Sequence, residues 1–214
     1  MNYIIKICGL TDKDQALKIG KMGATHIGMI HYEKSPRHIS LEKIEGISSI
    51  LKGISKSVAV VVNPSRELVE KLLDIVDLVQ LHGEESPEFV SFFPKERVIK
   101  AFRIKSEEDI IRIKPFTQMG ITILIDAYSE KAYGGTGKQI NPELAKKIVD
   151  FYSKTVLSGG LSPDNLLDLI RHIKPYGVDA SSKLEVKPGI KDLKKTETFI
   201  KTAREFYESV YKTA

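Results

Sequence analysis

The chain has 214 residues, 42% of them hydrophobic and 29% charged, with 33 lysines and arginines against 28 aspartates and glutamates for a net charge of +5. This is the composition of an ordinary soluble globular chain, and its single cysteine excludes an internal disulfide and fits a reducing cytoplasm. No apolar run approaches the roughly 20 residues of a membrane span, and the N-terminus lacks the charged-then-apolar order of a signal peptide, so a cytoplasmic protein with no membrane partner is expected.

In chain order, Ile4, Ile5 and Ile7 make a β-branched strand that Gly9 breaks, and Thr11 or Asp12 caps a helix running to Met22. Gly23 ends that helix, and Thr25–Ile30 is the second strand. A polar loop, Tyr32–His38, leads to a helix from Ser40 to about Lys52. Ser57–Val62 is the third strand, stopped by Asn63-Pro64. Ser65 then caps a helix whose Val69, Leu72, Leu73 and Val76 fall on one stripe. Leu78–His82 is the fourth strand, and Ser86-Pro87-Glu88 opens the next helix with cap, proline and first-turn acid in order. Val98–Phe102 is the fifth strand, followed by capping-box spacing from Ser106 to Asp109. Ile121–Ile125 is the sixth, ending at Asp126; a glycine-rich loop, Tyr133–Lys138, precedes a helix opened by Asn141-Pro142. Thr155–Leu157 with Ser158-Gly159-Gly160 forms the seventh strand and its turn, and Ser162-Pro163 caps a helix. Val178–Ala180 with Ser181-Ser182 forms the eighth, and a last helix starts near Asp192.

Eight strand-helix repeats with short connections predict an α/β fold, a single (β/α)8 TIM-barrel domain over residues 1–214 with eight parallel strands. An open doubly wound sheet is disfavoured, because no G-x-G-x-x-G follows any strand.

Such barrels carry their chemistry at the carboxyl ends of the strands. That rule selects Cys8, His31, Asn63, His82, Arg103, Asp126, Ser158 to Gly160 and Asp179 to Ser182. Cys8 lies beside a predicted helix N-terminus, whose partial positive charge favours a thiolate; taken alone, a lone cysteine is better explained as a small apolar filler. Lys6 alternates with Cys8 and points inward with it, and a buried lysine needs a partner, for which Asp179 on the eighth strand is the candidate. Asp126 ends its strand either as a turn cap or as a catalytic acid. Gly134, Gly135 and Gly137 suit a loop that closes over substrate. The backbone of Gly159-Gly160 and the hydroxyls of Ser181 and Ser182 suit a phosphate. A pI near 9.1 agrees with an anionic ligand. Dispersed lysines and the lack of a nucleic-acid motif favour a small phosphorylated molecule over nucleic acid, and no histidine spacing suggests a metal.

With these residues in hand, the sequence closely resembles the phosphoribosylanthranilate isomerases of tryptophan biosynthesis. The resemblance runs in order through KICGLTD, SPRHI, VVVN, VQLHG, Asp126 with YGGTGK, LSGGLSPDN, and VDASS with PGIKD. It implies a single-domain barrel needing no metal or organic cofactor, and an Amadori rearrangement of an N-phosphoribosyl aminobenzoate to an open-chain ketose phosphate. By the same resemblance Cys8 falls on the general base and Asp126 on the general acid. Arg37 falls on an arginine facing the anthranilate carboxylate, and Gly159, Gly160, Ser181 and Ser182 on the phosphate site. The acid must be protonated while the thiol is ionised, although reference values near 3.9 and 8.5 run the other way. The site is therefore expected to raise one by burial or a nearby anion and to lower the other by positive potential. Lys183 stands where the family usually has glycine, and His31 and His38 replace residues more often aromatic or aliphatic.

Three rivals remain on the sequence. The histidine-pathway isomerase uses aspartate where Cys8 stands; a non-catalytic phosphometabolite binder has no need of Cys8, Asp126 and Arg37 together; a nucleic-acid binder rests on pI alone. Either a monomer or a homodimer is compatible with the pattern.

Overall fold

The β-branched runs at Ile4–Cys8 (β1), His26–Ile30 (β2), Lys56–Val61 (β3), Leu78–Leu81 (β4), Val98–Ile104 (β5), Thr122–Ala127 (β6), Thr155–Leu157 (β7) and Gly177–Ala180 (β8) pair in parallel and in sequence order, β8 returning to β1 to close a barrel. This is the architecture of the computed structural model, which describes residues 3–127 and 141–212. The expected closing loop with Gly134, Gly135 and Gly137 lies outside the described residues.

Between the strands run Lys13–Lys21 (α1), Leu41–Leu51 (α2), Arg66–Ile75 (α3), Pro87–Val90 (α4), Asp109–Gln118 (α5), Pro142–Phe151 (α6) and Pro163–Ile173 (α7), with Leu193–Lys212 (α8) after the last strand. Their starts follow local chemistry: the side chains of Asp12, Ser40, Ser65, Ser86 and Asn141 each accept a first-turn backbone N–H. Asp12 rather than Thr11 caps α1, since the Thr11 hydroxyl donates to the Gly189 carbonyl.

Two local expectations change. The capping box at Ser106 is half made: the Asp109 carboxylate accepts the N–H groups of Lys105 and Ser106, but the helix begins only at Asp109 itself. A short antiparallel hairpin, Glu185–Lys187 (β9) and Ile190–Lys191 (β10), follows β8 and turns at Gly189 with φ +85°. Strands of three and two residues carry too little periodicity to be seen in a sequence.

Alternation along the strands sorts the core into two layers. Ile5 and Ile7 join Ala16, Ile19, Ile44, Leu72, Ile148 and Ile170 in the large cluster between strands and helices. Ile4 instead meets Val58, Ile99, Ala101, Leu124 and Val156 in a separate buried cluster filling the barrel interior. Two residues above Ile4 on the same inward row stands Lys6, fully buried, its Nζ 3.0 Å from Asp179 Oδ1. The two residues are register partners in the β1–β8 ladder, so the expected ion pair spans the seam where the barrel closes. Among the described residues no helix is long and apolar enough to cross a membrane.

Lys6→Met is expected to lower the unfolding free energy by about 3–5 kcal/mol in guanidinium denaturation, because Asp179 is left buried, charged and unpaired. The double variant Lys6→Met, Asp179→Leu should recover most of that loss. A single variant as stable as the unmodified chain would show that the pair contributes nothing to the seam.

Candidate active site

At the tip of β1, Cys8 is buried, and the barrel makes room for its sulfur by omitting a side chain across the ladder. Cys8 pairs with Gly28 of β2, where a Cβ would stand 2.7 Å from Cys8 Sγ and 3.0 Å from Lys6 Nζ. Burial pushes the thiol above its ordinary range; Lys6 and Lys191 pull it down, Asp179 adds to the rise, and the net shift is upward. This corrects the expectation of a thiolate favoured by a helix terminus. α1 starts at Lys13, and the cations that act on Cys8 belong to β1 and β10.

Asp126 lies inside β6 rather than beyond it. Its Oδ1 accepts the Ala127 N–H at 2.8 Å, and its Oδ2 stands 3.8 Å from His82 Nε2. Burial first, then the charge of Asp179, raises its pKa to about 7 against the opposing pull of the Ala127 N–H, Lys6 and Arg103. The sequence leaves burial or a nearby anion as alternatives; both act here, and the anion is the Asp179 carboxylate. Gly159 begins the turn after β7 at φ +93°, and a Cβ there would meet Asp126 Oδ1 at 3.1 Å and the Ala127 nitrogen at 2.7 Å. The Gly159-Gly160 turn therefore lies directly on the carboxyl group. Asn165 shapes its far side, donating to the Gly160 carbonyl and accepting the Ser162 N–H.

The turn after β8 is a charged network rather than an open serine pair. The Ser181 hydroxyl donates to the Cys8 carbonyl at 3.0 Å. Lys191 Nζ, fully shielded from solvent, donates to the Ser181 carbonyl and to Glu185 Oε1 at 2.8 Å. Glu185 in turn holds the fork of Arg37, Nε at 2.9 Å and Nη2 at 2.7 Å. Donating these hydrogen bonds to Glu185 raises the Arg37 pKa further, and Arg37 with Lys191 holds Glu185 below the usual carboxylate range despite its burial. Arg37 lies across Gly9, where a Cβ would be 2.7 Å from Arg37 Cδ and 3.0 Å from Ser181 Oγ. Loops after β1, β2 and β8 are thereby tied together at one rim of the barrel.

The structure thus gathers Cys8, Lys6, Asp179 and Asp126 inside the barrel mouth, and Gly159, Gly160, Ser181 and Ser182 on the turns of the paired strands β7 and β8. Lys183 is exposed in a 3-10 turn over Ser182–Leu184 and has no positive φ, so that position does not require glycine. The His31 and His38 rings meet at 5.1 Å between centroids, tilted by 40°, beside the loop that carries Arg37. Among the described residues no three His, Cys, Asp or Glu side chains are arranged to hold a metal ion.

The family model described as N-(5'phosphoribosyl)anthranilate (PRA) isomerase matches residues 5–202. The chain belongs to this family. An N-(5'-phosphoribosyl)anthranilate isomerase of Sulfurihydrogenibium sp. is 55% identical over 197 residues, covering 92% of this chain and 97% of that one. The crystal structure of phosphoribosyl anthranilate isomerase from Thermotoga maritima superposes with a TM-score of 0.83 at 32% identity, covering 95% and 99% of the two chains. A second crystal structure, of a phosphoribosyl anthranilate isomerase in complex with reduced 1-(o-carboxyphenylamino)-1-deoxyribulose 5-phosphate, gives a TM-score of 0.80 at 32% identity and the same coverage.

Membership of the isomerase family agrees with the fold and leaves four residues that the sequence reading passed over. Gly28 was visible as a lone glycine inside a strand, a mark of close approach. Glu185 and Lys191 sit on the hairpin that periodicity missed. Gln80, buried on β4, is the fourth, its Nε2 3.1 Å from Nδ1 of His82, the strand-end histidine that the sequence does select.

Glu185→Gln removes the anion that screens Arg37 and Lys191 from the thiol, so Cys8 is expected to ionise at lower pH. Alkylation of this sole cysteine by iodoacetamide at pH 8 should quicken by roughly three- to tenfold. An unchanged or slower rate would show that Glu185 does not govern the potential at the sulfur.

Proposed function

We propose that this barrel catalyses the Amadori rearrangement of N-(5'-phosphoribosyl)anthranilate to 1-(o-carboxyphenylamino)-1-deoxyribulose 5-phosphate in tryptophan biosynthesis, by general acid-base catalysis from Asp126 and Cys8. The observation that carries the reading is that Cys8 and Asp126 lie buried at the carboxyl ends of barrel strands, both under the influence of the Lys6–Asp179 pair, with the carboxyl raised to about 7. Such a carboxyl still holds its proton over much of the neutral range and can give it up.

In this scheme Asp126 protonates the ribose ring oxygen, the bond from that oxygen to C1' breaks, and a Schiff base forms between C1' and the anthranilate nitrogen. Cys8 as thiolate then removes the proton from C2', and the electron pair moves to give an enolamine that tautomerises to the ketone. Lys6 and Lys191 favour the thiolate, while Asp179 neutralises Lys6 and helps to keep the proton on Asp126. Arg37 takes the anthranilate carboxylate: Glu185 occupies its Nε and Nη2, and its Nη1 makes no hydrogen bond among the described residues. The phosphate lies between the Gly159-Gly160 backbone and the Ser181-Ser182 turn, the two rims that β7 and β8 bring side by side. The substrate is thus held at its two anionic ends with the reacting carbons between sulfur and carboxyl.

A fluorescence assay following loss of phosphoribosylanthranilate tests the activity. Cys8→Ala and Asp126→Asn should each lower kcat by at least about 10²-fold with little change in affinity for the reduced product analogue. Turnover like that of the unmodified protein in either variant would remove that residue from the chemistry.

The order of the two pKa values gives a second test. With Asp126 at about 7 and the thiol above its ordinary range, the competent pair, carboxyl protonated and thiol ionised, is a minor population of the free enzyme. Its share climbs about tenfold per pH unit up to about 7, is level above that, and falls only past the thiol. The expected kcat/KM profile has an acid limb near 7, while iodoacetamide reacts with Cys8 along a titration well above it. A thiol titrating below the acid limb would overturn this order.

A further inference from the structure

His82 is buried at the end of β4, faces the same hollow, and takes no part in the steps above. Its surroundings fix its state. Gln80 Nε2 can only donate, so His82 Nδ1 at 3.1 Å accepts and the imidazole proton resides on Nε2. Burial, with Lys100, Lys6 and Arg103 nearby, depresses its pKa to about 3, which keeps the ring neutral. Among the described residues the Nε2–H has no hydrogen-bond partner, although the ring is only 8% exposed. A buried donor left unpaired carries a cost, and such groups mark places where a partner arrives during function. Asp126 Oδ2 stands 3.8 Å away, just beyond hydrogen-bond range.

We propose that His82 is a positioning residue for Asp126: with its proton fixed on Nε2 by Gln80, it donates a hydrogen bond to Oδ2 once the carboxyl has become a carboxylate. The inference rests on the reading of Asp126 as proton donor. Charge then appears on Asp126 in a hollow where the groups facing it are Asp179 from β8, Lys6 from β1, Arg103 from β5 and the Ala127 N–H. Asp179 repels that charge, Lys6 is already committed to Asp179, and Oδ1 is already bonded to Ala127. Among the described residues Oδ2 accepts no hydrogen bond, and His82 supplies a donor without bringing a net charge into the site. Charge-neutral donation matters because an imidazolium would hold Asp126 ionised and spoil it as an acid.

The test uses the whole chain, with ¹³C-labelled aspartate carboxyls titrated by NMR in the unmodified protein, His82→Asn and His82→Gln. The asparagine amide reaches only the Nδ1 position, whereas the glutamine amide reaches Nε2 and keeps a donor there. Loss of the donor in His82→Asn should raise the Asp126 pKa by at least about half a unit and lower kcat roughly tenfold with KM within about twofold. His82→Gln should bring both back toward their starting values. An Asp126 titration that is the same in all three proteins, or displaced equally by both substitutions, overturns the role of His82. Asp126→Asn separates this from the underlying reading: an inactive Asp126→Asn with an unmoved titration in His82→Asn overturns the His82 role alone. Turnover in Asp126→Asn overturns the proton-donor reading whatever His82 does.

Discussion

The ion pair between Lys6 and Asp179 is the constraint from which the site is built. It joins the first strand to the last at matched register, with both side chains almost wholly removed from water. Burying two charges costs several kcal/mol each, and apolar residues of similar size would close the seam at least as well. Stability alone therefore does not account for the pair. Its position does: the ammonium lies beside the Cys8 sulfur, and the carboxylate acts on Asp126, so one pair of opposite charges biases two titratable groups at once.

Beneath that pair the barrel is an ordinary apolar plug, and above it the surface at the strand ends is shaped largely by side chains left out. A Cβ at Gly28 would strike the Cys8 sulfur, one at Gly159 would press on the Asp126 carboxyl, and one at Gly9 would collide with Arg37. Each glycine lets a neighbouring strand or loop come close enough for a functional group to meet the hollow. Gly9 and Gly159 also sit at φ +81° and +93°, where other residues are strained. The interior Ile4, Val58, Ile99, Leu124 and Val156 carry the packing lower down, so the rim is free to be irregular.

What the sequence disclosed follows the range of the interactions involved. Caps such as Ser65 and Asn141, the β-branched strands and the turns after β7 and β8 are set by neighbours within a few residues, and all stand where local chemistry puts them. Alternation even located the Lys6–Asp179 pair, because closure of the barrel makes the first and last strands neighbours. The contacts of Arg37 were hidden, since its partner Glu185 lies 148 residues away on a hairpin too short to leave a pattern. The ionisation of Cys8 escapes the local sequence for the same reason. Burial, the strongest influence on it, is a property of the assembled barrel and not of the KICG stretch.

Burial also explains why this site needs its particular charges. Removing water raises a carboxyl and a thiol alike, which helps a proton donor and hinders a proton acceptor. A hollow made only of apolar walls would leave Asp126 and Cys8 both protonated, which in the proposed scheme allows ring opening but not the second proton transfer. The asymmetry has to come from fixed charges close to the sulfur, and Lys6 and Lys191 are the two that lie there. Each is restrained by a carboxylate of its own, Asp179 and Glu185, so neither ammonium is left as a bare buried cation. The restraint has a consequence for Asp126. With its local cations already balanced, the carboxyl is not drawn down to the usual aspartate range and stays near 7, where an acid can act at neutral pH.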